Sequence, residues 1–157
     1  MAGDFSRDLQ RFIARGGRNS RLVVKKVVLD LDTSIVTKNP VGDPDTWAPG
    51  TPVPAGYVGG RSRGSWQYAK GAPDRSDPGT IDPTGAVSIG RAAAGVENGD
   101  PLDVHYITNS TPYIRRLEYE GWSQQAPDGM VRKSIDEFQQ FVQNAVCLLY
   151  TSDAAAE

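Results

Sequence analysis

Asn39-Pro-Val-Gly-Asp-Pro-Asp-Thr-Trp-Ala-Pro-Gly-Thr-Pro-Val-Pro-Ala-Gly-Tyr-Val-Gly-Gly-Arg-Ser-Arg-Gly-Ser-Trp66 divides the chain in two. Prolines at 40, 44, 49, 52 and 54 rule out a continuous helix, because each lacks a backbone donor and fixes φ. Gly56, Gly59, Gly60 and Gly64 supply positions where φ can be positive. A structureless segment of this length is uncommon inside a domain and is usually functional or disordered. Trp47, Tyr57 and Trp66 argue against plain disorder, since disordered linkers are poor in aromatics. The segment is therefore expected to dock on a ligand, on its own domain or on a partner subunit.

The elements on either side of it predict an α+β fold, with a small antiparallel sheet packed against N-terminal and C-terminal helices. Upstream, Phe5, Leu9, Phe12 and Ile13 predict a short helix over residues 4–14, capped by Asp4 and ended by Gly16-Gly17. Asn19 or Ser20 then opens a second helix, with Val24, Val27, Val28, Leu31 and Ile35 along one stripe and Asn39-Pro40 as its stop. A strand over 22–29 competes, but the length and the stripe favour a helix. Downstream, residues 63–70 predict a strand with Trp66 and Tyr68 on one face. Residues 86–89 read as a short strand or as the entry to a helix over 91–94, and 104–108 as a strand. Pro112 suits the first position of a helix over 113–120 that Gly121 ends. Val131, Ile135, Phe138, Val142 and Ala145 mark a final helix, with Ser134-Ile-Asp-Glu137 as a capping box near its start. Residues 1–146 read as one domain, with 42–60 as its extended loop.

The chain's 157 residues and net charge of −2 demand neither nucleic acid nor a membrane. No apolar run approaches the roughly 18 residues that cross a bilayer. The polar start Met1-Ala-Gly-Asp-Phe-Ser-Arg-Asp8 has no hydrophobic signal core, so a secretory signal is not expected. The single cysteine, Cys147, excludes an internal disulfide framework and a multi-cysteine zinc site. Cys147-Leu-Leu-Tyr-Thr-Ser-Asp-Ala-Ala-Ala-Glu157 resembles the translation of a transposon-type sequencing-library adapter, with Ala156 where that translation carries an acid. A non-native or disordered tail is expected over 147–157, and no function is assigned to it.

Catalytic signals are sparse. His105 is the only histidine and reads as a strand side chain, with no nucleophile elbow to partner it. Asp30 and Asp32 point to different helix faces, and Asp43 and Asp45 lack the further ligands and glycine of a calcium loop. Gly56-Tyr-Val-Gly-Gly-Arg-Ser-Arg-Gly64 follows prolines and enters a strand, unlike a phosphate-binding loop. No cofactor or metal is expected.

Charge is uneven. Arg7, Arg11, Arg15, Arg18, Arg21, Lys25 and Lys26 face the single acid Asp8 within their stretch. Arg7, Arg11 and Arg15 are spaced i, i+4, i+8 and line one helix face, which suits either a solvated surface or a phosphate backbone. Tyr113-Ile-Arg-Arg-Leu-Glu-Tyr-Glu-Gly-Trp122 concentrates the residue types enriched at protein interfaces.

Three blocks carry a family resemblance. The first is Thr37-Lys-Asn-Pro-Val41 leading to Gly60-Arg-Ser-Arg-Gly-Ser-Trp66. The second is Tyr106-Ile-Thr-Asn-Ser-Thr-Pro-Tyr-Ile-Arg-Arg-Leu-Glu-Tyr-Glu-Gly-Trp122, and the third is Ala126-Pro-Asp-Gly-Met-Val-Arg132. In this order they resemble the minor tail and tail-completion (neck) proteins of long-tailed bacteriophages. That family typically has Thr-Pro-Val, then Gly-Arg, a small residue and Trp, then Asn-x-x-Pro-Tyr followed by Glu-Tyr-Gly. Asn39 replaces the common Thr, Glu120 is inserted before Gly121, and the 42–59 insert resembles only a subset of the family. The resemblance implies a non-enzymatic virion protein, assembled in the bacterial cytoplasm. It would form a ring, hexameric, at the head–tail junction, touching other neck and tail proteins and, non-specifically, packaged DNA, with no membrane. Trp47, Tyr57, Arg61, Arg63, Trp66, Tyr113, Arg115, Arg116, Glu118 and Trp122 are the expected packing and subunit contacts, and Arg7, Arg11 and Arg15 the DNA-facing ones. A small DNA-binding module built on the 7–26 stripe is the alternative. An enzyme with an acidic site at Asp43 and Asp45 is a third, weaker reading.

Overall fold

The computed structural model describes the backbone of residues 2–154; residues 1 and 155–157 and the side chains of residues 2–6, 8, 153 and 154 lie outside the described part, among them the expected stripe residue Phe5. Helix α1 covers Ala2–Lys38 without a break. The expected stop at Gly16-Gly17 is not made, and Asp4 lies within the helix rather than capping it. A glycine ends a helix by adopting positive φ, and neither Gly16 nor Gly17 does so. Each costs the helix only about 1 kcal/mol relative to alanine. The backbone runs straight on, with Ser20 Oγ donating back to the Gly16 carbonyl at 2.9 Å. Asn39-Pro40 does stop it. Proline disfavours the helical region for the residue before it, and the Asn39 N–H closes the last turn on the Ile35 and Val36 carbonyls.

The long segment then forms one 3₁₀ turn, Pro44–Thr46, and reaches a short helical turn, α2 (Arg61–Gly64). Strand β1 is Trp66–Lys70, so Arg63 lies in α2 and not in the expected strand. Gly60 causes the difference. Its φ of 106° is open only to glycine, and a Cβ there would sit 2.5 Å from the Pro83 nitrogen. Strand β2, His105–Asn109, pairs antiparallel with β1, from Trp66 opposite Asn109 to Lys70 opposite His105. Between the strands, α3 covers Ala86–Glu97, which settles the 86–89 ambiguity as helix. Asp82 caps it, accepting from the Gly85 N–H at 2.9 Å and the Val87 N–H at 2.7 Å.

Helix α4 is Ile114–Tyr119, with Tyr113 rather than Pro112 at its entry. The expected final helix is two. α5 (Val131–Asp136) and α6 (Phe138–Ala154) meet at Glu137. The capping box is not formed, because Ser134 is buried inside α5 and shares a 2.9 Å hydrogen bond with Ser34. Glu137 reaches instead to Lys38 Nζ at 2.7 Å and Ser34 Oγ at 3.0 Å. α6 stays helical through Cys147 to Ala154, within the stretch expected to be a non-native or disordered tail.

The fold is α+β, mostly helical around a two-stranded antiparallel sheet. α3 lies along α1 in the opposite direction: Gly85 abuts Val36 at one end, while Lys25 pairs with Glu97 and Arg21 with Asp100 at the other. α5 and α6 also pack on α1, and β1 packs on α3. Ile35, Val36, Trp66, Leu117, Ala126 and Met130 form the core at the C-terminal end of α1. The Arg21–Asp100 pair lies near the outer limit of this packing. Beyond it, residues 2–18, ahead of the half-buried Asn19, extend as a helical arm of roughly 25 Å at 1.5 Å per residue. Every described side chain from Arg7 to Arg18 on that arm is exposed.

Candidate functional site

The first family-like block forms an internal clamp. Asn39 is fully buried, and its Oδ1 accepts from Ser62 Oγ at 3.1 Å and from Trp66 Nε1 at 3.0 Å. Its Nδ2 donates to the Pro40 carbonyl at 2.9 Å. Arg63 donates to the Asn39 and Thr37 carbonyls, which are unpaired acceptors at the end of α1, and to Pro83 O. Arg63 and Trp66 are therefore packing residues that tie the far end of the loop to the end of α1.

Glu118 has the same character. Only 5% exposed, it accepts from the N–H groups of Met130 (2.8 Å), Val131 (2.9 Å) and Arg132 (3.0 Å). These are the donors that the first turn of α5 leaves over, so one carboxylate caps a helix that begins thirteen residues downstream. Gly129, at φ 86°, allows the approach, since a Cβ would meet the Glu118 carbonyl at 2.5 Å. Arg132 donates to that carbonyl and stacks 5.4 Å over the Tyr119 ring. The second and third blocks thus join through Glu118, which faces inward.

The remaining aromatics converge on one groove. The segment after α1 forms one wall and residues 113–125 the other, enclosing about 1140 Å³. Trp47 and Tyr57 meet edge-on at 5.0 Å and close the base of the loop. Tyr113 and Trp122 lie 6.0 Å apart on the opposite wall, with the Arg116 guanidinium 5.6 Å over the Trp122 ring. Arg61 lines the groove and pairs with Asp77 at 2.9 Å. The Gly79 N–H, with Arg61, holds the Asp77 carboxyl below its ordinary range. Gln125, which residue type alone does not single out, staples the two walls. It accepts from the Val41 N–H at 3.1 Å and donates to the Val41 carbonyl at 2.8 Å, as a neighbouring strand would. Ile81 and Leu117 add apolar surface. Arg115 is exposed on α4 and does not line the groove.

The arm carries the other set of candidates. At 100° per residue, Arg7, Arg11, Arg15 and Arg18 share one face, and Leu9, Phe12 and Ile13 the opposite one. Phe12 is 75% exposed and Ile13 64%, so this apolar stripe has no cover within the subunit. Arg21, Lys25 and Lys26 drop out of the expected stripe, because they pair with Asp100, Glu97 and Asp30.

The groups weighed for catalysis serve the fold. Asp43 Oδ1 accepts from the Asp45 N–H at 3.1 Å and caps the 3₁₀ turn. His105 is held through both ring nitrogens, 2.8 Å from the Pro101 carbonyl and 2.6 Å from the Tyr68 hydroxyl. A carbonyl only accepts, so Nε2 carries the donated proton. Asp32 is buried at 2% exposure with Oδ2 unpartnered, and burial pushes its carboxyl up to about 7, with Arg91 opposing. Among the described residues no cluster of three or more His, Cys, Asp or Glu is placed to hold a metal ion, and no helix is long and apolar enough to cross a membrane.

Comparison with protein-family models, with curated proteins and with solved structures finds no match to this chain.

Proposed function

We propose that this chain is a structural subunit of the head–tail junction of a long-tailed bacteriophage, joining copies of itself into a ring that completes the tail tube. The phage assignment rests on the three sequence blocks and their order. The observation that carries self-assembly is the placement of two uncovered apolar surfaces. The arm stripe and the aromatic groove lie at opposite ends of α1, with about 39 Å of helix between Phe12 and Lys38 at 1.5 Å per residue. Surfaces so separated cannot satisfy each other within one subunit while α1 stays intact. Head-to-tail contact between copies satisfies both, and such heterologous contacts close into rings when the rotation allows. Electron microscopy of the purified protein with isolated tails tests the reading: a ring at the upper end of the tail is expected. A phage deleted for this chain should accumulate separate heads and tails, and normal infectious particles would refute the assignment.

A second reading has its own observation, the four exposed arginines on the arm's polar face. A DNA-binding module would use them against phosphates, and the logarithm of its affinity would fall with that of salt by about 0.9 per phosphate neutralised. Arg7→Glu with Arg15→Glu should then abolish binding. Absence of binding at low salt rejects this reading and leaves the first intact.

A further inference from the structure

We propose that the helical arm of one copy, residues 7–18, occupies the aromatic groove of the next copy. This rests on the self-assembly reading above and names its contact.

Three observations choose this occupant. The arm presents Leu9, Phe12 and Ile13 at i, i+3, i+4 spacing, the pattern by which an amphipathic helix enters an apolar groove. The groove presents Trp47, Tyr57, Tyr113 and Trp122, with Val58 and Ile81 at its exposed edges. Charge then selects the orientation. Four arginines lie on the arm, whereas ten cations and seventeen acids lie beyond Lys26, so the rest of the chain carries a net charge of −7. Asp43 lines the loop wall and Asp45 is exposed two residues on, neither with an ion pair among the described residues. Arg15 sits about 60° around the helix from Phe12 at 100° per residue. It therefore flanks the apolar stripe and reaches that wall when Phe12 points into the groove. Pairing one arm with another would instead bring two arginine-rich segments together. The arm's far face, with Arg7, Arg11 and Arg18, stays outside the groove.

The contact also accounts for two costly features. A helical arm whose described side chains from Arg7 to Arg18 are all exposed, and which carries two adjacent glycines, is marginal in water. A wide aromatic groove left open exposes apolar surface of the kind that marks interaction sites. Docking covers both.

Disulfide trapping in the full chain tests this directly. Cys147→Ser removes the native thiol, and Phe12→Cys and Val58→Cys are then made separately in that background. Both positions are exposed, so neither change disturbs the fold. On mixing and oxidation, the mixed Phe12→Cys/Val58→Cys dimer should exceed either homodimer at least tenfold. Predominant Phe12→Cys homodimers would overturn the proposal in favour of arm–arm pairing. Failure of the mixed dimer to form while sedimentation still shows an oligomer would overturn this contact and leave self-assembly standing. A monomer at every concentration would overturn both. Charge reversal supplies a second arm of the test. Arg15→Asp should weaken assembly about tenfold, and adding Asp43→Arg and Asp45→Arg should restore it. Weakening without restoration would count against the loop wall as the arm's partner.

Discussion

Replacing Asp32 with asparagine should change how stability depends on pH, and the size of the change follows from where the carboxyl sits. Asp32 lies on the α1 face packed toward α3 and β1, at 2% exposure, with Oδ2 unpartnered. Burial pushes its pKa from 3.8 to about 7, against the pull of Arg91. The native carboxyl therefore keeps a proton that the unfolded chain has already released between about pH 4 and pH 7. Where the native state binds more protons, stability falls as pH rises. The penalty begins near pH 4, grows across that window and is complete above pH 7, at roughly 4 kcal/mol for about three pKa units. Asp32→Asn removes the titration and nearly preserves the shape. Urea unfolding of both proteins at pH 5 and pH 8 cancels all other titrating groups in the difference. The asparagine variant should gain about 2–3 kcal/mol on the wild type over that interval. Its absolute stability at pH 5 depends on how the new amide is satisfied, so the test reads the change with pH. A constant difference between the two proteins would refute the reasoning and show that Asp32 stays ionised in the folded chain.

Other substitutions probe the internal clamps. Glu118→Ala strands the Met130, Val131 and Arg132 N–H groups at the start of α5 and should cost about 3 kcal/mol or more in urea unfolding, with Glu118→Gln losing less. Asn39→Ala removes the acceptor shared by Ser62 and Trp66 and should cost about 2–4 kcal/mol, with a shift in Trp66 fluorescence reporting loss of the Nε1 bond. Residues 48–58 are exposed throughout, so limited proteolysis should cut the lone subunit there and spare the assembled form. Equal cleavage in both states would make the segment a spacer.

Several elements were legible because their signals are local. Pro40 ends α1 through the conformational limit it sets on Asn39, and Gly121, at φ 58°, follows the end of α4. Trp66 and Tyr68 on one face marked the first strand and the run over 104–108 the second, and the two pair antiparallel. Other features depend on distant chain and were missed. Gly16-Gly17 reads as a stop, but glycine ends a helix only when the backbone turns there, and no packing at those residues turns it. Arg63 was placed in a strand because its neighbours are strand-like. Its guanidinium is drawn back to the Asn39 and Thr37 carbonyls, and Gly60 permits the turn. Glu118 sits among interface-type residues in the sequence, yet the orphaned donors of α5 claim its carboxylate. The capping box at Ser134 failed because Ser34, a hundred residues away, took the hydroxyl.

Residue order alone determined the α+β class and the proline-rich division between helix and sheet. Those are matters of backbone preference and side-chain type, which each residue carries with it. Tertiary structure alone decided which candidates turn inward, where the arm leaves its packing, and that arm and groove lie at opposite ends of the molecule. A hydrogen bond or a buried face is settled by which partner the fold brings within about 3 Å, and that distance is not a property of any single stretch of sequence.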